Sequence, residues 1–501
     1  MLNQDTSTGS FNLVEQPWFP VAGEERLRTL AEIFTAPAPK RLSGDATLKA
    51  ALFRFLLSIV HASSHVPDED AWHRLSPETL AENARNYLLL HKERFDLYDP
   101  VRPFLQFPQL KERNGKEYSL CSLLLYTAVG NKTLLTDWNR EHILSDAEKA
   151  RLLIRAVGYS CGGKQYDAET VLSDHIVKKT ARPGTLLGSL GYLHTYMLGD
   201  DLWDSLRRNL LTEQEILGSG LYPEGLGEPF WMHMPAGEDD ERARQYRKSY
   251  FGRLVPLDKF LFFTEEKVLK TDGIAYETLP GISQDPAVTA YLAGKEFRFL
   301  WTRTDKRPWR QLTALLNFLQ NRTSSPLFLS LGMKKLRGEN LEKVSIWTGG
   351  AEVSGNAGEQ YLSGANDFVE SEFSLPTHII ESNDQWLAHY ERLMHDLDQQ
   401  AKALYSAVAR YNTLLDNQDG KGIAARASSR FWEMTESRHQ AVIDLADDPD
   451  EEAEAQEKQI WRRLAEKIYN ELCPRETARQ LEAWVQANPK FNRKKGKNKN
   501  D

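Results

Sequence analysis

Gly130-Asn131-Lys132-Thr133-Leu134-Leu135-Thr136-Asp137-Trp138-Asn139-Arg140-Glu141-His142, one short helix, and then Tyr159-Ser160-Cys161-Gly162-Gly163-Lys164-Gln165 set the organisation of this chain. Between the two polar loops, Ser145-Asp146-Ala147-Glu148 reads as a capping box, and Ala150, Leu152, Leu153, Ala156 and Val157 give the helix that follows one apolar face. Such a helix can bring the loops close together. Paired glycines let backbone approach a ligand, and Trp, Asn, Arg and Lys are side chains that stack on bases or contact phosphate. None of them is an obvious catalyst. Gly-Asn-Lys-Thr lacks the spacing of a phosphate loop, and on its own the stretch fits a plain surface connection equally well.

Working outward, the upstream chain alternates helices with anchored loops. Phe11 to Val21 reads as a short aromatic opening strand stopped by prolines. A helix capped near Asp45 buries Leu48, Leu52, Phe53, Leu56, Ile59 and Val60, and another runs from about Pro77 to His91. Phe95 to Gln106 mixes aromatics with prolines, which suits an anchored loop. Downstream, Val177-Lys178-Lys179-Thr180-Ala181-Arg182-Pro183-Gly184 places three cations before a turn, Leu190 to Leu211 reads as a helix, and 218–240 as a long loop. Phe260 to Phe263 and Phe297 to Trp301 are strand-like around an expected loop at Lys267 to Gly273. Trp309 to Leu319 reads as helical. Val344 to Thr348 is a strand entering the glycine-rich hairpin Ser354-Gly355-Asn356-Ala357-Gly358-Glu359-Gln360.

From about Asn383 glycines become rare. Trp386, Tyr390, Leu393, Leu397, Ala401, Leu404, Val408, Tyr411 and Leu415 recur at helical spacing, and Arg430–Ala446, Glu452–Leu472 and Arg475–Ala487 add three helices. The expected fold class is therefore α+β: a large mixed N-terminal domain over 1–376, a C-terminal four-helix bundle over 377–488, and a basic disordered tail over 489–501.

Composition narrows the function classes. The 501 residues carry 63 basic and 71 acidic side chains, a net charge of −8, so a protein that coats nucleic acid unaided is disfavoured and any such role rests on local patches. Three distant cysteines, Cys121, Cys161 and Cys473, fit a reducing cytoplasm and neither a disulfide framework nor a cysteine zinc site. No apolar run is read as a membrane span, and no membrane role is expected.

Several stretches in order resemble the large subunit (CasA family) of the type I-E CRISPR surveillance complex, Cascade. They are Asn-Leu-x-x-x-x-Trp-x-Pro-Val at Asn12 to Val21, Pro-Phe-Leu-Gln at Pro103 to Gln106, the Gly130 to Leu134 loop, the helix start at Leu144 to Ala150, the Gly162–Gly163 pair, Arg-x-Gly-Thr at Arg182 to Thr185, and the C-terminal helices. The resemblance implies a noncatalytic, cofactor-free role in antiviral defence. Such a subunit reads the protospacer-adjacent motif of double-stranded DNA from the minor groove, helps open the duplex for R-loop formation, and recruits the helicase-nuclease. Its implied partners are CRISPR RNA, target DNA and the backbone, small and guide-end subunits. Minor-groove readout is degenerate, and further specificity passes to guide pairing.

Residue by residue, the resemblance places Lys132, Leu135, Trp138, Asn139 and Arg140 at the guide's 5′ handle and neighbouring subunits, and Gly162 and Gly163 facing the motif. Lys270 is the candidate minor-groove lysine, with Lys267 competing. The hairpin, with Ser354, Gly355, Asn356, Gly358 and Gln360, stands at the strand-opening wedge. The cations Lys132, Arg140, Lys164, Lys178, Lys179 and Arg182 gather around one site, so local charge can serve an acidic chain. No metal is expected.

Two rival readings follow from other residues. His395-Asp396 is the dipeptide of HD-type metal-dependent phosphohydrolases, with His389 and His439 as possible further ligands. Alternatively the chain is a purely structural adaptor. Trp231-Met232-His233-Met234 lacks a second ligand at metal spacing and reads as packing.

Overall fold

The computed structural model describes residues 9–113, 115–124, 143–159, 171–173, 189–264, 267–276, 283–293, 295–316, 327–336, 339, 341–356, 359–361, 367–380 and 384–489. The chain divides into two compact units, Met1–Glu372 and Phe373–Asp501.

In the first unit the helix Ala46–Ser63 is the central element. Its cap is as the sequence implies: Asp45 accepts from the backbone N–H groups of Thr47 and Leu48, both at 3.0 Å. Leu52, Phe53, Phe55, Leu56, Leu57, Ile59 and Val60 are all fully buried, so the helix is covered around most of its circumference. Its length and apolarity would also suit a bilayer crossing, contrary to the sequence expectation; burial of 78% of it inside the protein accounts for that composition. Helices Pro77–Leu90 and Asp146–Gly158 pack against it. The second of these starts at the expected capping box, Ser145 Oγ accepting from Glu148 N–H and Glu148 accepting from Ser145 N–H at 2.9 Å.

The described strands are β1 (Glu117–Ser119), β2 (His194–Leu198), β3 (Lys259–Phe263), β4 (Lys267–Asp272), β5 (Ala290–Ala293), β6 (Glu296–Phe299), β7 (Lys343–Ala351), β8 (Ser354–Asn356), β9 (Glu359–Tyr361) and β10 (Phe368–Pro376). They form two three-stranded sheets, β1-β4-β3 and β10-β7-β2, and two hairpins, β5–β6 and β8–β9. The central helix joins the second sheet through a stack of rings. Phe53 lies 3.9 Å from Tyr196 and Tyr196 lies 4.6 Å from Trp347, centroid to centroid.

Several elements differ from the sequence expectation. Phe11 to Val21 forms no strand but is pinned by isolated bridges, Asn12 to Asp96, Phe19 to Arg28 and Val21 to Leu42, because Pro17 and Pro20 interrupt any ladder. Leu190 to Leu211 is not one helix. It contains β2 and, after Asp200, a helix Leu202–Asn209 capped by Asp201. All five β2 residues are buried, so the alternation that marks a strand is missing. The expected loop at Lys267 to Gly273 is instead the strand Lys267–Asp272, paired with β3 along one side and with β1 at Lys267 to Leu269 along the other. The stretch after Trp309 is a 3₁₀ turn, Pro308–Gln311, followed by a short helix Leu312–Leu315; residues 317–319 lie outside the described residues.

The second unit is helical. Asp384–Leu414 touches each of Gly420–Glu436, His439–Asp447, Glu451–Leu472 and Ala478–Ala487. The expected apolar stripe from Trp386 to Tyr411 is buried, with Trp386 stacked on Tyr390 at 5.3 Å. The bundle expected as four helices is built, among the described residues, from these five segments. Arg430–Ala446 breaks at Ser437 and Arg438, where the Arg438 guanidinium turns to Glu457, 2.7 Å away. Cys473 is fully buried at the end of Glu451–Leu472, and burial pushes its thiol up to about 12.

Candidate nucleic-acid interface

The β1-β4-β3 sheet carries the one proposed contact residue whose side chain is described. β3 and β4 pair because Phe260, Leu261, Val268 and Leu269 need cover, and the register sets Leu261 opposite Lys270 and Tyr118 opposite Val268. Three lysines stand on these two strands, and two are neutralised. Lys259 forms a buried ion pair with Asp272, and Lys267 holds Glu117 at 3.0 Å on the surface.

Lys270 differs from both. Its ammonium lies 4.5 Å from the centroid of the Tyr118 ring and 3.3 Å from Ser122 Oγ, to which it donates. No carboxylate among the described residues pairs with it. Burial, and then the nearby Lys259 charge, lower its pKa to about 8. The amine is therefore still mostly charged at neutral pH, poorly compensated, and supported from below by a ring. That arrangement suits an incoming acceptor such as a base-edge oxygen or ring nitrogen, or a phosphate. Of the two candidates, Lys267 meets a carboxylate in an exposed surface pair, and Lys270 meets none among the described residues.

Residue-by-residue reading passed over the supporting side chains here. Lys111 sits over Phe262 at 4.6 Å and Lys116 over Tyr118 at 5.4 Å, both exposed, so the sheet edge is more basic than its own strands suggest. Lys111-Glu112-Arg113-Asn114-Gly115-Lys116 carries that signal in the sequence, but its link to Lys270 depends on a pairing across about 150 positions.

The hairpin expectation lands on β8 and β9. Ser354 pairs with Tyr361, Gly355 with Gln360 and Asn356 with Glu359, so Asn356 is the last described residue of β8 before the turn. Gly358 lies outside the described residues. So do Lys132, Leu135, Trp138, Asn139, Arg140, Gly162, Gly163, Lys164, Lys178, Lys179 and Arg182. The described chain reaches two of these segments through positioned elements: the 3₁₀ turn Leu120–Leu123 leads toward 125–142, and Asp146–Gly158 ends at Tyr159 before 160–170.

The metal alternatives find no support in the described geometry. Asp396 is held by Lys458 at 2.5 Å, His395 is exposed beside Gln399, and His439 Nδ1 lies 2.7 Å from the Glu436 carbonyl. His233 contacts Glu228 at 2.9 Å. Among the described residues no three His, Cys, Asp or Glu side chains gather in a metal-binding group.

Comparison with known proteins places this geometry in a family. A family model described as CRISPR-associated protein Cse1 matches residues 12–472. A curated relative, CRISPR-associated protein CasA/Cse1 of Thermus thermophilus, is 33% identical over 332 residues, which is 62% of this chain and 61% of the relative; the match thus spans less than two thirds of that protein. Among solved structures, Thermobifida fusca Cse1 aligns with TM-score 0.71 at 20% identity over 96% of this chain and 97% of that one. Thermus thermophilus CasA aligns with TM-score 0.68 at 17% identity, over 96% and 98%. A chain of a CRISPR RNA-guided surveillance complex aligns with TM-score 0.66 at 17% identity, over 96% and 99%. At these identities the structural matches establish the fold.

Proposed function

The chain belongs to the CRISPR-associated Cse1 family, and from that premise we propose that it acts as the large subunit of a type I-E RNA-guided surveillance complex. It recognises the motif beside the target in double-stranded DNA through the minor groove, begins strand separation, and presents a surface to the helicase-nuclease. The role is noncatalytic and places the chain in the cytoplasm with guide RNA and the other complex subunits. The observation that carries the reading is Lys270: a strand-borne ammonium with a ring beneath it and no carboxylate partner among the described residues. A purely structural adaptor has little use for such a group, because a half-buried charge with no carboxylate partner among the described residues lowers stability.

The test is affinity of the complex, with and without this subunit, for two duplexes that share a guide-matched target and differ only in the flanking trinucleotide. The subunit should add affinity for one duplex and little for the other. Equal gains on both would reduce it to a clamp or adaptor.

For the hairpin, joint replacement of Asn356, Gly358 and Gln360 should slow strand opening severalfold while initial duplex binding stays near wild type. Permanganate footprinting reads the opening directly, and unaltered footprint kinetics would remove β8–β9 from that step.

A further inference from the structure

Trp301 stands at the root of the β8–β9 hairpin with its ring turned partly to solvent. It is 41% exposed, whereas Trp18, Trp72, Trp309 and Trp461 are buried. Its ring contacts Tyr192 at 4.6 Å, and Tyr192 contacts Phe299 at 5.4 Å, so three aromatic faces adjoin. The position is fixed by backbone. Tyr192 and Trp301 form a bridge, and Thr302 N–H donates to the Gly191 carbonyl at 2.9 Å. Gly191 lets the parts meet: a Cβ there would lie 2.5 Å from Val353 and 2.7 Å from the Trp301 ring. Val353 is the residue immediately before β8. The exposed indole and the residue that leads into the hairpin thus both lie close to Gly191.

The stretch of sequence that carries Trp301 is opposite in charge to the whole chain. Residues 295–310 hold six cations, Lys295, Arg298, Arg303, Lys306, Arg307 and Arg310, against Glu296 and Asp305, in a protein of net charge −8. Lys295, Arg298 and Arg303 are exposed. The local carboxylates are accounted for: Glu296 lies 3.3 Å from Arg298, Asp305 lies 2.6 Å from Arg303, and Glu352 accepts from Thr304 N–H at 2.7 Å. The two arginine pairs are solvent-exposed on both sides, so they cost little to exchange for phosphate. An exposed aromatic face flanked by cations is the pattern that holds unpaired bases without regard to sequence.

We infer that Trp301, backed by Tyr192 and followed two residues later by the exposed Arg303, is a stacking platform for an unpaired base of single-stranded DNA beside the hairpin. This rests on the proposed function, since that strand exists at the site only once a duplex has been opened. Stacking on Trp301 would retain the base that the hairpin separates, and so oppose re-annealing.

The test is fluorescence anisotropy of the full-length chain with fluorescein-labelled oligothymidine at low salt, beside thermal unfolding of each variant. Trp301→Ala and Trp301→Leu should each bind about tenfold more weakly, and Trp301→Phe should recover most of the loss, because stacking needs an aromatic face. Leucine keeps apolar contact at Gly191 and guards against a folding artefact. Wild-type affinity in Trp301→Leu overturns the platform, as does tighter Trp301-dependent binding of oligouridine, which would assign the site to RNA. Motif discrimination on the paired duplexes is scored separately. Its loss with Trp301-dependent strand binding intact would refute the function proposed above and leave the platform standing.

Discussion

Lys270→Ala is expected to weaken binding of the complex to motif-bearing duplex by roughly ten- to a hundredfold, the range implied by losing one hydrogen bond to a charged group, worth about 1.5–3 kcal/mol. Assembly should be spared, because the amine meets only Tyr118 and Ser122 among the described residues. The pH dependence provides a separate signature. A lysine whose folded pKa is lowered to about 8 loses its proton on the native protein around pH 8, while the unfolded chain keeps its own up to the ordinary lysine range. Duplex affinity should therefore fall as pH rises through 8, and Lys270→Arg should flatten that fall, since a guanidinium stays charged.

The stability sign is the reverse. In the same window the unfolded chain binds more protons than the native one, so this residue's contribution to stability rises with pH. Below pH 8 the half-buried charge is unfavourable, and Lys270→Met should raise the denaturation midpoint at pH 7 while lowering duplex affinity. Undiminished affinity in either neutral variant would remove Lys270 from the interface.

The largest effect on stability is expected at Arg54. Its guanidinium is 2% exposed, lies 2.9 Å from Asp285, donates to the Arg253 carbonyl, and sits 5.4 Å from the Tyr159 ring. Burial opposes its charge, but Asp285 and then Tyr159 outweigh that and hold it protonated. Arg54→Met leaves Asp285 buried without its cation and should cost about 3–5 kcal/mol in denaturant unfolding. Adding Asp285→Asn should recover part of that loss, because the two residues share one interaction. Additive losses, or a single-variant cost within about 1 kcal/mol of zero, would show that the pair contributes little.

Local chemistry made part of this fold legible. Asp45 and the Ser145–Glu148 box are caps whose meaning lies within four residues, and the Trp386 to Tyr411 stripe repeats within one helix. Elements defined by distant partners were not legible in the same way. β2 reads as helix because both its faces are covered, one neighbour being β7 about 150 residues later. β4 reads as loop because Lys267, Lys270 and Asp272 interrupt its apolar pattern, and their partners Glu117, Tyr118 and Lys259 arrive only on pairing. The candidate site shows the same limit. Lys270 is visible as a lysine, but what distinguishes it from Lys267 is which of the two meets a carboxylate, and that is a property of the assembled sheet.

Cys473 gives the helical unit a chemical clock of its own. A thiol reacts with electrophiles as its thiolate, and this one is fully buried with its ionisation displaced to about 12. Alkylation at pH 8 must therefore wait for an opening of the surrounding helices, whereas half-buried Cys121 belongs to the other unit. Peptide-resolved labelling rates at Cys473 across a denaturant series consequently separate openings confined to Phe373–Asp501 from unfolding of the whole chain.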